Sequence, residues 1–181
     1  MNNKASLRQV MLNRLKMQVK EEKLVADTEL LDRFLKTAAY QKAKRIATYL
    51  SFPHEFTTDL LIETAIGDGK QVYVPKTYSK GKMEFVVLNC NLLRRTAFGL
   101  LEPVEGVAIE KNQLDLIHVP GLLFTTQGYR LGYGAGYYDR YLADFQGDTI
   151  STVYNWQIGD FPVDSHDIPV KEVLISERII R

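Results

Sequence analysis

The chain has 181 residues, enough for one domain or one with a small appendage, and 45% of them are hydrophobic, ample for a core. Basic residues number 23 against 22 acidic ones, and a net charge of +1 argues against a dedicated nucleic-acid binder. The single cysteine, Cys90, permits no internal disulfide and makes a reducing compartment the default.

Lys4 to Leu24 places Leu7, Val10, Met11 and Leu15 at helical spacing with Lys and Arg elsewhere. That pattern predicts a basic amphipathic helix whose apolar stripe covers a core. Lys4 and Arg8 stand four apart on one face and can grip one polyanion together. Asp27 is predicted to cap a second helix carrying Leu30, Leu31, Phe34 and Leu35. RIATYL, Arg45 to Leu50, reads as a strand that runs into SFPHEFTTDLL. There Pro53 prevents continuation, and Thr57 or Thr58 caps a helix through Leu60, Leu61 and Ala65. Glu55 then lies in a loop at the carboxyl end of a strand, where open α/β sheets bind ligands. A solvated loop carboxylate is the commoner fate of such a residue. His54, with no partner in sequence, is not expected to hold a metal.

Gly67 and Gly69 end this helix, and QVYVPKTY follows as a strand expected to stop at its proline, with Lys76 facing the cleft or solvent. MEFVVL reads as an edge strand or the second arm of a hairpin, and Asn89 to Asn112 as a long irregular connection. Leu114 to Phe124 is an apolar run broken by Pro120 and Gly121, a buried strand whose carboxyl end opens into a loop. The loop carries Gly128, Arg130, Gly132, Gly134 and Gly136, and helical spacing resumes at Tyr137, Tyr138, Tyr141 and Leu142. Backbone without Cβ atoms approaches a ligand closely, and a helix amino terminus adds free N–H groups. With the Arg130 cation this arrangement suits a phosphate, and Asp139 one turn on suits a magnesium that rides with it. By spacing alone G-x-G-x-G is neither the dinucleotide fingerprint nor the P-loop, and a glycine turn with a tyrosine-rich core helix has the same letters.

TISTVYNWQ adds a strand ending in Tyr154, Asn155 and Trp156, aromatics that stack on a flat heterocycle or simply fill core. In FPVDSHDIPVKEVLISE, Asp164 and Asp167 flank His166, a metal-like spacing that a polar turn between strands also produces. Strands alternating with helices predict a parallel or mixed sheet with helices on both faces. No apolar run is long enough to span a bilayer, and MNNKASLRQVMLNRLK lacks the apolar core of a signal peptide. The sequence therefore predicts a soluble, cytoplasmic protein with no membrane partner, a monomer by default.

The literal string says more. RLGYGAGYYDR preceded by PGLLF closely resembles the signature of the 5-formyltetrahydrofolate cyclo-ligase (methenyltetrahydrofolate synthetase) family, roughly P-G-x-x-F-[DT]-x-x-G-x-R-L-G-x-G-x-G-Y-Y-D. KASLR, SFPHE and HDIPVKEVL extend the likeness over nearly the whole chain. The resemblance implies a three-layer α/β/α sandwich, one domain over residues 1–181. It implies an enzyme that uses ATP and magnesium to convert 5-formyltetrahydrofolate to 5,10-methenyltetrahydrofolate. ATP would be met by Lys4, Arg8, Arg130, Leu131, Gly132, Tyr133, Gly134, Ala135, Gly136, Tyr137 and Tyr138. The folate would be met by Leu50, Glu55 and the loop from Tyr133 to Tyr137 (Gly134, Ala135 and Gly136 between them), with Tyr154 and Trp156 as stacking candidates. Asp139 and Asp167 would hold Mg2+, Asp164 being the alternative in the same turn, and Glu55 and Arg130 would be catalytic. Some family members carry basic residues at the positions of Tyr133 and Ala135, so there only the backbone argument transfers. Two other classes share these letters. One is a different nucleotide- or coenzyme A-handling enzyme, and the second is a non-catalytic carrier that needs the phosphate loop but not Glu55.

Overall fold

The computed structural model describes residues 3–89, 91, 93–96, 99 and 101–177, so Cys90 lies outside the described residues. The chain opens with α1 (Lys4–Lys16), α2 (Lys20–Leu35) and α3 (Ala38–Lys42), followed by β1 (Arg45–Ala47), α4 (Asp59–Gly67) and the hairpin β2 (Gln71–Thr77) and β3 (Met83–Val87). Next come a small hairpin of β4 (Leu93–Arg95) and β5 (Leu101–Pro103), then β6 (Leu116–His118) and a second small hairpin, β7 (Leu123–Phe124) and β8 (Arg130–Leu131). Helix α5 (Tyr137–Leu142), β9 (Asp148–Val153) and β10 (Glu172–Ile175) complete it.

Six strands form the central sheet in the order β10-β9-β6-β1-β2-β3, all neighbours parallel except the antiparallel pair β2–β3 at one edge. Alternate side chains leave opposite faces of a strand. Ile46, Val72, Leu116 and Ile150 accordingly join the core under α1, α2, α3 and α4, which includes Met11, Leu30, Phe34, Tyr40 and Leu61. Ala47 and Ile117 point the other way and join Phe85, Tyr141 and Leu142 beneath α5. Helices therefore cover both faces, as the alternation of elements predicts.

Several boundaries differ from the sequence reading. The first helix ends at Lys16 rather than near Leu24, because the Gln18 side-chain amide donates to Leu15 O at 2.9 Å, a carbonyl that another turn would have used, and also to His54 O at 3.1 Å. Val10, predicted on the apolar stripe, is exposed, while Leu12 packs against the core. Asp27 is not a cap: α2 starts at Lys20, and Asp27 lies buried within it. Thr58 does sit at the N-cap of α4, but its hydroxyl pairs with Ser51 instead of capping. Strand β2 continues through Pro75, because pairing with β1 ends at Tyr73 and a proline beyond it removes no bond from that ladder. Lys76 is half-buried and tied to backbone. Its ammonium donates to Pro103 O at 2.9 Å and Val104 O at 2.6 Å, holding β5 to β2.

Candidate active site

Chain order places the site. From β1 the chain crosses through α4 to β2 on one side, and from β6 it crosses through α5 to β9 on the other. The adjacent carboxyl ends of β1 and β6 thus form a topological switch point, the crevice where open α/β sheets take ligands. The loop after β1 delivers Leu50 and Glu55, the segment after β6 delivers the glycine-rich loop, and the end of β9 delivers Tyr154 and Trp156.

On the glycine-loop side, the β7–β8 hairpin carries Arg130 into a buried position. Its guanidinium donates to Ile168 O at 2.8 Å and Asp139 Oδ1 at 3.2 Å, and lies over the Tyr138 ring at 5.9 Å. Asp139 Oδ1 also accepts from Ile168 N–H at 3.0 Å, so Arg130 and Asp139 lock the glycine loop and α5 to the closing segment. Gly128 makes the same junction in backbone. Its φ of 96° is a left-handed conformation, its carbonyl accepts from Val170 N at 3.0 Å, and a Cβ there would overlap Val170 O. Gly136, at φ 75°, is the N-cap of α5. That helix has six residues, so its dipole is small.

Arg140 of α5 itself donates to Ala135 O at 2.6 Å, and two further cations come from α1. Arg8 Nε donates to Gly132 O at 2.9 Å, and its guanidinium lies against Gly134. Lys4 Nζ sits between Asp164 Oδ2 at 2.6 Å and Asp167 Oδ2 at 3.3 Å. The hydrogen bond to Asp164 and the charge of Asp167 raise the lysine above its ordinary value, keeping it cationic. Burial lowers the Arg130 guanidinium, and Asp139 opposes that shift, so the arginine also keeps its charge. Arg8 thus holds the glycine loop from α1, Arg130 pairs with Asp139, and Lys4 pairs with Asp164 and Asp167 of the closing segment. Asp164, His166 and Asp167 can bring one ligand atom each within 4.8 Å of one another.

Across the cleft, Glu55 is buried in its loop. Its Oε2 accepts from Phe52 N–H at 2.8 Å and its Oε1 from the Tyr133 hydroxyl at 2.7 Å. Burial pushes the Glu55 carboxyl up, while these two donors and the charge of Lys23 act against it. Tyr154 is a buried residue whose hydroxyl donates to Asp27 Oδ1 at 2.6 Å, and its ring stacks on Trp156 at 5.7 Å between centroids. Arg14 covers the Trp156 ring at 4.7 Å. Leu50 and Trp156 are half-buried against the core, and Tyr137 is half-buried on the α5 side.

The 5-formyltetrahydrofolate cyclo-ligase family model matches residues 1–176. The chain belongs to that family. It is 33% identical over 190 residues to the 5-formyltetrahydrofolate cyclo-ligase of Mus musculus, covering 96% of this chain and 94% of the relative. Its backbone is similar to an NMR structure of 5,10-methenyltetrahydrofolate synthetase from Aquifex aeolicus, with TM-score 0.83, 29% identity and coverage of 98% and 92% of the two chains. The Mycoplasma pneumoniae 5,10-methenyltetrahydrofolate synthetase gives TM-score 0.78 at 27% identity, covering 96% and 98%. The chain is accordingly an enzyme, a cyclo-ligase with a three-layer α/β/α fold.

Around this candidate site the structure adds groups that the sequence reading missed. Lys23 Nζ donates to Asp27 Oδ2 at 2.6 Å and Thr57 Oγ1 at 3.0 Å, so an α2 ion pair anchors both the Glu55 loop and Tyr154. The i,i+4 spacing of Lys23 and Asp27 was the available signal, but it does not say which way the pair points. His118 closes β6 wholly buried, its ring nitrogens 2.9 Å from Thr48 Oγ1 and 2.9 Å from Thr152 Oγ1. Burial alone pushes this imidazole down to about 3. A narrow cavity of about 10 Å³, bounded by Leu15, Tyr49, Glu55, Phe56 and Tyr154, sits between these groups and is at the limit for one water. A wider cavity of about 710 Å³ opens at the opposite end of the strands, beside Lys42, Lys111, Asp115 and Asp148. Most of its charges are paired, Lys42 with Asp148 at 3.1 Å and Asp115 with the N–H groups of Lys44 and Arg45 at 2.9 Å each, so it lacks the convergent donors of the cleft. Among the described residues no helix is long and apolar enough to cross a membrane.

Proposed function

We propose that residues 1–181 act as one catalytic domain that converts 5-formyltetrahydrofolate to 5,10-methenyltetrahydrofolate, using ATP and releasing ADP and phosphate. The observation that carries this reading is the pairing of two unlike half-sites across one switch point. A cationic glycine loop lies on one side, and a buried carboxylate with an aromatic pair on the other. An N-formyl oxygen is a poor leaving group because the nitrogen lone pair delocalises into the carbonyl. Transfer of the γ-phosphoryl group to that oxygen makes it a phosphate leaving group. N10 then attacks the formyl carbon, phosphate departs, and N10 gives up its proton.

The chain's share is positioning and charge neutralisation. Arg8, Arg130 and the loop N–H groups face where a triphosphate would lie, and Lys4 reaches the same ground from α1. Asp139 accepts both of its bonds on Oδ1, leaving Oδ2 without a protein partner among the described residues, and Asp167 is the chain neighbour of Ile168, whose N–H binds Asp139. Carboxylate oxygens next to a phosphate cradle are the donor set that Mg2+ prefers, so Asp139 and Asp167 fit that ion, with Asp164 adjoining. When bound, the ion would supply charge neutralisation on the phosphates. Glu55 is the proton acceptor for N10, an effect worth typically ~10²–10⁴-fold. Tyr154 and Trp156 flank the folate, and the narrow cavity between Leu15 and Tyr154 must widen to admit a pteridine ring.

The test is direct. Mixing the protein with ATP, magnesium and 5-formyltetrahydrofolate should produce the near-ultraviolet absorbance of the methenyl product. A carrier would bind both ligands and give no signal. Glu55→Gln should abolish the signal while ATP still binds; near-normal turnover in that variant would remove Glu55 from the mechanism.

A further inference from the structure

Glu55 is not held by its own loop alone. One carboxylate oxygen accepts from Phe52 N–H inside the loop, but the other accepts from Tyr133, which belongs to the glycine loop across the cleft. The Tyr133 oxygen has a second neighbour, His54 Nε2 at 3.0 Å, and the His54 ring stacks on Phe52 with centroids 5.4 Å apart. A phenol carries one proton. With that proton committed to an ionised Glu55, the phenol oxygen can only accept from His54, which fixes the imidazole as the Nε2–H tautomer. His54, Tyr133 and Glu55 then form one directed chain of hydrogen bonds, imidazole N–H to phenol O–H to carboxylate.

The geometry points to Tyr133, steadied by His54, as the positioning residue that aims Glu55 and keeps it ionised to receive the N10 proton. The inference rests on the proposed role of Glu55 and adds a residue to it. Burial favours the protonated form of Glu55, which is useless as a proton acceptor, and a phenol donor within 2.7 Å favours the charged form. The other groups around this carboxylate are accounted for. Lys23, from α2, stabilises its charge. The phenols of Tyr49 and Tyr138 are pushed up by burial and by the Glu55 charge, and that of Tyr154 by burial and by Asp27, so they stay neutral. His54 is held down to about 4 by burial and by Lys16 and Lys23, so it too is neutral at working pH. Above pH 5, Glu55 is therefore the member of this group whose charge responds to its donor. The loop that faces the triphosphate thus carries the donor that orients the base on the folate side.

Tyr133→Phe in the full chain removes the phenol proton and keeps the ring. Losing this charge-assisted hydrogen bond removes a group that favours the ionised form, so the Glu55 carboxyl should move upward. That shift should be read twice: in the free protein by NMR of carboxyl-labelled glutamate, and in the acid limb of kcat/KM for 5-formyltetrahydrofolate. The resonance missing from Glu55→Gln identifies the signal. The KM for ATP should stay unchanged while kcat falls. His54→Ala should shift both readouts the same way by less, and His54→Gln, which keeps an N–H donor, should restore them. A residue that only packs would move neither titration. If Glu55→Gln is inactive yet Tyr133→Phe titrates like the parent, the positioning role is overturned and Glu55 stands. Normal turnover in Glu55→Gln would overturn both.

Discussion

Asp27→Asn keeps the shape of a side chain and removes one charge from the interior. In the structure Asp27 Oδ2 takes the Lys23 ammonium at 2.6 Å and Thr57 N–H at 3.2 Å, and Oδ1 takes the Tyr154 hydroxyl at 2.6 Å. The side chains of the pair are 8% and 13% exposed, so little water can replace what is lost. An amide at this position offers one accepting oxygen for three donors, and in either orientation the ammonium loses its counter-charge. Breaking a buried pair from one side typically costs ~3–5 kcal/mol. Lys23 also reaches Thr57 Oγ1 at 3.0 Å, which places the expected loss at the low end, about 3 kcal/mol. For a chain of this size that corresponds to a Tm lower by roughly 6–12 °C. Calorimetry and urea titration at neutral pH measure it. Lys23→Met added to Asp27→Asn removes the orphaned ammonium and should recover more than half of the loss. The folate KM should rise in the single variant, because Tyr154 and Thr57 share the network, while the ATP KM holds. A single-variant loss below about 1 kcal/mol, or a double variant no better than the single, would refute the reasoning.

Lys4→Ala and Arg8→Ala should each raise the KM for ATP more than that for the folate, by the ~1.5–3 kcal/mol of a charge-assisted contact. An unchanged ATP KM in both would take α1 out of the nucleotide site. Asp139→Asn and Asp167→Asn should each raise the magnesium concentration needed for half-maximal turnover with the fold intact. Titrations that overlay the parent would transfer the assignment to Asp164. His118 has a pH signature of its own. Its folded value of about 3 lies below the ordinary histidine value of 6.5, so between those limits the unfolded chain takes up a proton that the folded one refuses. Its contribution to stability is therefore complete above pH 6.5 and is lost on acidification, about 2 kcal/mol of it between pH 7 and pH 5. In His118→Gln, urea midpoints at those two pH values should differ correspondingly less than in the parent; an equal difference would contradict a buried neutral imidazole.

Periodicity and punctuation determined the layout. Alternating strands and helices gave an α/β sheet covered on both faces, and PGLLF followed by RLGYGAGYYD carried the family likeness. These signals survive in the linear chain because a strand's apolar run, a proline that lacks an N–H and a glycine that lacks a Cβ act locally. The break between α1 and α2 was not legible, since the groups that satisfy its last carbonyls include a glutamine side chain also tied to His54. Asp27 resembles a cap for the same reason: the letters before Leu30 suit an N-cap, and donors as distant as Thr57 N–H and the Tyr154 hydroxyl, 127 residues away, hold the carboxylate inside the helix layer. His54 and Tyr133 lie 79 residues apart, so neither announced a partner until the β1 and β6 loops met at the switch point. Local backbone preferences can be read from neighbours in sequence. Which buried charge meets which donor depends on the packing of distant segments, and tertiary structure alone decided it.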